Sequence, residues 1–283
     1  MIDGVYQEQD SDPHVALRER LLGEAARASR PSTSAIRCRA ASFRREFPHA
    51  AARELREQGL VRIALDEPLA TAEFAAFGRG LGVLLPETDP ATLPFAEDEV
   101  VLNLVASAGE TDDVALQPFA SGWLTLHSES SGRAAADQPR YIVLTCQDPG
   151  DAVAEAGTVL IPMRDVSAAL DDDALAVLSA TRYRRNLRAP MIARRVGAHE
   201  VFSFRDFWRE PLEWTHLGPE KDADVVNGKI GQLLAAMYAT PPHIVTWSRG
   251  LLIVIDNHAY FHGRSKARGA SSRPRRLQRL RIL

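Results

Sequence analysis

The chain has 283 residues, enough for one large domain with or without a small appendage, and at 45% hydrophobic it can bury a sizeable core. A net charge of −3 and a pI near 6.3 argue against a general nucleic-acid binder, while 25% charged residues suit a soluble globular protein. Two cysteines, Cys38 and Cys146, exclude a disulfide framework and a Cys-x-x-Cys zinc site and fit a reducing cytoplasm; no apolar run reaches membrane-spanning length, and the acidic start Met1-Ile-Asp-Gly lacks a signal peptide's apolar core.

Residues 1–13 are polar and read as frayed. Asp12 and Pro13 can open a helix as its cap and first residue, with Val15, Leu17, Leu21 and Leu22 on the apolar face. Ser29-Arg-Pro-Ser-Thr-Ser34 reads as a linker, so a helical arm and linker are expected over 1–40 and a main domain over 41–283. Helical spacing runs from Phe47 to Gln58 and stops at Gly59; Leu60–Leu65 reads as a strand, and a second helix covers about 69–80. Strands are expected at 99–105, 122–128, 139–146 and 157–162, with a polar, acidic loop over 107–121. The strand Pro139–Cys146 has few polar interruptions, as for one covered on both faces, and Cys146 within it reads as a small buried hydrophobe. A helix follows over 165–180, with Asp171 as an internal cap.

Residues 182–195 are strongly basic, and 199–214 are rich in aromatics. A charge run is usually a solvated face, and the aromatic segment suits a lid or core packing equally. A helix over 222–239 ends at Pro241-Pro242 and is followed by two strand pairs, at 243–256 and 259–283, interrupted by a loop.

The chemistry centres on Trp123-Leu-Thr-Leu-His-Ser-Glu-Ser130, which holds the triplet His127-Ser128-Glu129. Residues two apart on a strand project from one face, so an imidazole and a carboxylate stand side by side. They make two-thirds of a 2-His-1-carboxylate iron site, which leaves positions open for co-substrate and oxygen. The third ligand should come from far along the chain. Asp256-Asn-His-Ala-Tyr-Phe-His-Gly-Arg264 offers His258 and His262, which can face the same side of a strand. His14, His49, His199, His216 and His243 have no partner pattern and read as ordinary.

An H-x-E triplet alone is a weak signal. Here it is followed in order by a strand ending in Asp256-Asn257, by His262-Gly263-Arg264, and by a closing strand Arg275-Arg-Leu-Gln-Arg279. Together these resemble the taurine-dioxygenase superfamily of Fe(II)/2-oxoglutarate oxygenases. The Glu in H-x-E resembles the clavaminate synthase-like branch, which includes the arginine and asparagine β-hydroxylases. The resemblance covers roughly residues 55–283 and is strongest at 123–162 and 243–283.

The resemblance implies an α+β, mainly β fold: a double-stranded β-helix, or jelly-roll, braced by helices. Periodicity alone gives only a mixed α+β chain. It implies a metal site of His127, Glu129 and His262, with His262 matching the family His ahead of His258. Fe(II), 2-oxoglutarate and O2 are the implied cofactors and co-substrates. Arg275 matches the arginine that binds the distal carboxylate of 2-oxoglutarate, as a planar fork does well. Arg276 stands where the family has an aromatic residue, which leaves it as a rival. Period-2 alternation puts Arg275, Leu277 and Arg279 on one face, so Arg279 could meet the 1-carboxylate or a substrate anion. Arg276 and Arg281 also suit a solvated, charged sheet edge. Thr158 matches a threonine that assists 2-oxoglutarate binding, and Ser128, Ser130, Ser131 and Arg133 fall in a loop that often lines the substrate pocket.

With Glu129 present, the implied reaction is hydroxylation, desaturation or cyclisation, not halogenation. The implied substrate is a small amino acid or an amino-acid-derived natural-product intermediate, free or bound to a carrier protein that could meet the basic stretch. No nucleic-acid or membrane partner is expected. Two other classes compete: a non-catalytic jelly-roll binding protein with a vestigial metal site, and a zinc hydrolase, which would need no 2-oxoglutarate anchor.

Overall fold

The computed structural model describes residues 1–24, 35–105, 111, 116–120, 122–151, 156–267 and 273–283. The expected linker at 29–34 and most of the acidic loop at 107–121 lie outside the described residues.

Two sheets face each other. The larger has seven strands in the order Ile36–Cys38, Leu60–Leu65, Leu251–Asp256, Tyr141–Asp148, Arg276–Ile282, Val101–Val105 and Ala96–Glu97. Its first pair is parallel and the rest are antiparallel. The smaller is antiparallel, in the order His243–Val245, Thr158–Pro162, Tyr260–Arg264 and Leu124–His127.

Strand periodicity explains the layers. Along the two central strands of the large sheet, Ile142, Leu144, Cys146, Leu251, Ile253 and Ile255 face the small sheet and pack with Leu160, Val245 and Tyr260. The alternate residues Val143, Leu252 and Val254 point the other way, onto Phe43, Phe47, Phe74 and Phe77 of the helices Phe43–Gln58 and Thr71–Leu81. These strands are therefore buried on both faces and read as continuous apolar runs. The small sheet behaves alike. Val159, Ile161 and Phe261 pack on Val226, Ile230, Leu233 and Met237 of the helix Ala223–Ala239. Tyr260, His262 and Arg264 point between the sheets. The result is a mixed fold of several sheets and few helices, with polar groups of the central strands aimed into the space between two sheets.

Local signals place several boundaries. Gly59 ends its helix in the left-handed region, with φ 68°, where Ala or a larger residue is strained. Asp171 accepts a hydrogen bond from the Ala174 amide, so the helix expected over 165–180 is two short ones, Met163–Ala168 and Asp172–Leu178. Cys146 is buried and unbridged, and burial pushes its thiol up to about 12. Among the described residues, no helix is long and apolar enough to cross a membrane.

Residues 1–13 are not frayed. Ile2–Tyr6 pairs antiparallel with Leu212–His216, which in turn pairs with Thr181–Tyr183. So short a stretch gave little local sign of this, because the strand partner lies some 210 residues away (Ile2 opposite His216). The following helix, Pro13–Glu24, buries Arg18. Arg18 donates to both Asp206 oxygens, at 2.7 and 3.1 Å, and to the Glu8 carboxylate. The Tyr238 hydroxyl donates to Asp206 at 2.5 Å.

Removing one partner from such a buried set leaves uncompensated charge. Arg18→Met is therefore expected to destabilise the fold by about 3–5 kcal/mol, read from the urea unfolding midpoint. Burial alone would raise the Glu8 pKa, but Arg18 and His14 outweigh it and hold Glu8 low. Its contribution should be complete above about pH 4.3 and be lost as the pH falls through the lowered value.

Candidate metal centre

His127 ends the strand Leu124–His127, and Glu129 lies two residues on, in a turn beyond the strand. The same-face argument therefore does not by itself bring them together. The turn does so through Asn257, just after the strand Leu251–Asp256. Asn257 Oδ1 accepts the Glu129 amide at 2.8 Å, and its Nδ2 donates to the Glu129 carbonyl at 3.2 Å and to Pro139. The Ser128 amide donates to the Phe204 carbonyl at 2.9 Å, fixing the other side of the turn.

His262 comes from the strand Tyr260–Arg264 and is the direct cross-strand partner of His127, with ring centroids 4.1 Å apart. Glycine follows it for a steric reason: a Cβ at Gly263 would meet the Leu124 carbonyl oxygen at 2.7 Å. Glu129 Oε2 is 3.5 Å from His262 Nε2 and 3.9 Å from His127 Nε2. All three ligand atoms lie within 4.8 Å of one another.

The donor chemistry suits a cation. His127 Nδ1–H donates to the Thr125 carbonyl at 2.8 Å, which leaves the Nε2 lone pair directed at the cluster. Burial, then the proximity of His262, pushes the His127 pKa down to about 3, so the ring is neutral, as a metal ligand must be. Burial raises the Glu129 pKa, but Arg279, His262 and Arg281 together outweigh it and hold the carboxyl well below its usual range. His258 is no part of the group. Arg140 approaches its Nδ1 at 2.5 Å and Arg194 its Nε2 at 3.2 Å.

The group opens on a cavity of about 590 Å³. Arg275, Leu277, Arg279 and Arg281 line it from the closing strand, as period 2 requires, while Arg276 is exposed. Arg275 is hydrogen-bonded to the Ala156 carbonyl, and burial pulls its pKa down to about 10, so it stays a cation at neutral pH. Arg279 sits between Glu87, at 2.9 Å, and Glu129, at 3.6 Å. Thr158 is buried on the cavity, and its hydroxyl accepts from Trp247 Nε1 at 3.1 Å.

Arg281 corrects a sequence expectation. It is buried, 3.1 Å from Glu87 and 3.7 Å from Glu129, because its strand lies inside the large sheet and is not an edge. Glu87, which anchors both arginines, had no motif to reveal it, and Asn257, seen in sequence only as the end of the Asp256-Asn257 strand motif, holds the Glu129 turn. The basic stretch is largely paired within the fold: Arg184 and Arg185 bind Glu213, and Arg194 binds Ser203. In the aromatic segment, Phe202, Phe204 and Trp214 are core, and Phe207 lines the cavity.

No family model and no curated protein matches the chain. Solved structures do. The PvcB protein from Pseudomonas aeruginosa is 19% identical with a TM-score of 0.58, over 81% of this chain and 77% of that one. An asparagine oxygenase in complex with Fe(II), 2S,3S-3-hydroxyasparagine and succinate is 18% identical with a TM-score of 0.56, over 86% and 77%. A mutant of the non-heme iron oxygenase OrfP, in complex with (3S)-hydroxy-L-Arg, is 13% identical with a TM-score of 0.60, over 89% and 94%. At these identities the likeness concerns the fold: this chain is folded like the Fe/α-ketoglutarate-dependent oxygenases.

Proposed function

We propose that the protein is an Fe(II)/2-oxoglutarate-dependent dioxygenase that hydroxylates, desaturates or cyclises a small free amino acid or an amino-acid-derived intermediate. The observation that carries this reading is the His127–Glu129–His262 group opening on a cavity lined by Arg275. The facing sheets are read as a double-stranded β-helix. The neighbours in complex with hydroxylated asparagine and arginine support a free amino-acid substrate over a carrier-bound one.

His127, Glu129 and His262 would hold the iron. Bound there, Fe(II) supplies the activation of O2 that couples C–H oxidation to decarboxylation of 2-oxoglutarate to succinate. The chain's own residues bind, orient and shield. Arg275 offers a fork for the distal carboxylate of 2-oxoglutarate, with the Thr158 hydroxyl beside it. Arg279, already against Glu129, offers a cation to the 1-carboxylate. Leu102, Leu144 and Leu277 line the same cavity and keep water from it.

Purified protein given Fe(II), O2 and 2-oxoglutarate is expected to release succinate slowly without a prime substrate and faster with the right amino acid. Substrate turnover without 2-oxoglutarate, or a chlorinated product, would refute the reading.

A further inference from the structure

The cavity holds more positive charge than the co-substrate uses. Arg279 and Arg281 are balanced by Glu87 and Glu129. Arg264 spends its donors on the Gln117, Pro118 and Gly122 carbonyls and ties that loop down. Arg275 is assigned to 2-oxoglutarate. Arg205 remains.

Arg205 is fixed by its neighbours in sequence. Phe204 is buried in the core under the small sheet, and Asp206 is held by Arg18 and Tyr238. The residue between them takes the opposite face and lines the cavity. Its backbone bridges directly to His127, and its amide donates to the Tyr183 hydroxyl at 3.0 Å.

The guanidinium donates to Gln117 Oε1 at 3.0 Å and stands 5.9 Å from the Phe207 ring centroid. It forms no ion pair among the described residues; burial pulls its pKa down and outweighs the more distant Glu210, Asp206 and Glu129. A half-buried guanidinium with one amide acceptor has N–H donors free to take a carboxylate from the cavity.

The distal carboxylate of the co-substrate is too far away to be that carboxylate. Across the small sheet the order runs from the Thr158 strand to the His262 strand, then to His127, then to Arg205. Arg205 thus lies three strand spacings, about 14 Å, from the strand that carries Thr158, with both histidines between.

We infer that Arg205 is the receptor for a carboxylate on the prime substrate, and that Phe207 and Tyr183 take the apolar or aromatic group next to that carboxylate. The Phe207 and Tyr183 rings meet edge-on with centroids 5.7 Å apart, so together they form an aromatic wall beside the guanidinium. The inference rests on the oxygenase reading for what fills the other half of the cavity. It also specifies the substrate: the carboxylate at Arg205 must be free, so a thioester or amide at that position is rejected.

Arginine footprinting tests this on the unmodified full-length protein, loaded anaerobically with Fe(II) and 2-oxoglutarate. Phenylglyoxal adducts at each arginine are mapped by mass spectrometry while 3-phenylpropionate or its primary amide is titrated in. Arg205 is expected to label without a probe, and the acid should shield it about tenfold more tightly than the amide, the difference made by charge-assisted hydrogen bonds. Equal shielding by the two probes, shielding by neither, or no labelling of Arg205 overturns the inference. Shielding of Arg275 by 2-oxoglutarate alone is scored in the same maps. Its absence would overturn the oxygenase reading and leave the Arg205 result to be judged on its own.

Discussion

Alanine at His262 is expected to abolish stoichiometric Fe(II) binding and succinate release, while His258→Ala keeps the iron. The two histidines sit four residues apart, but their surroundings differ in kind. His262 is paired across the sheet with His127 and lies 3.5 Å from Glu129. His258 is enclosed by Arg140 and Arg194, and burial beside these two cations pushes its pKa down to about 4. A cation is not welcome there. Glu129→Ala should match His262→Ala, since it removes the only carboxylate of the group. Asn257→Ala grades the effect. Asn257 binds no ligand atom of the group and holds the backbone of Glu129 and Pro139, so a loss of about 10–100-fold in iron affinity is expected, as for groups that orient metal ligands. Anaerobic equilibrium dialysis with Fe(II) separates the four variants. If His262→Ala retains iron and His258→Ala loses it, the metal site has been placed on the wrong histidine.

Much of this cluster was legible because its residues lie in or beside short strand motifs, where the pattern of types survives in one dimension. His127, Glu129 and His262 could be chosen from the order of short motifs, and the two-residue alternation of the closing strand put Arg275 and Arg279 on the cavity. What stayed hidden depends on contacts across the chain. Arg281 looked like edge charge because nothing near it announces that its strand is inside the sheet, flanked by Tyr141–Asp148 and Val101–Val105. Glu87 lies in an irregular segment and has meaning only through Arg279 and Arg281, nearly two hundred residues later. Asp206 and Arg18 look like ordinary surface charges in sequence; they are buried because each finds the other across 188 residues. The first strand failed for the same reason: the short stretch Ile2–Tyr6, next to a polar run, becomes a strand when a distant partner supplies its hydrogen bonds.

Arg275→Ala is expected to raise the 2-oxoglutarate KM by about two orders of magnitude or more, the equivalent of leaving a buried carboxylate unpaired, with iron affinity nearly unchanged. The argument is one of charge within a closed space. Glu129 and the two carboxylates of 2-oxoglutarate bring three negative charges between the sheets. The metal and Arg279 can answer those near the histidines. The distal carboxylate, at the far end of a five-carbon chain, needs a cation of its own, and Arg275 lines the cavity with no acid paired to it among the described residues. Lys at this position should recover only part of the loss, because an ammonium supplies the charge but not the planar fork. Arg276→Ala is the internal control. Its side chain points to solvent on the opposite face of the strand, so KM should stay where it was. A large effect at Arg276 and none at Arg275 would mean the true strand register is one residue away, and a one-residue slip turns every side chain to the other face. Arg279 and Arg281 would then leave the cavity as well, and Glu129 would lose the two cations that hold it ionised.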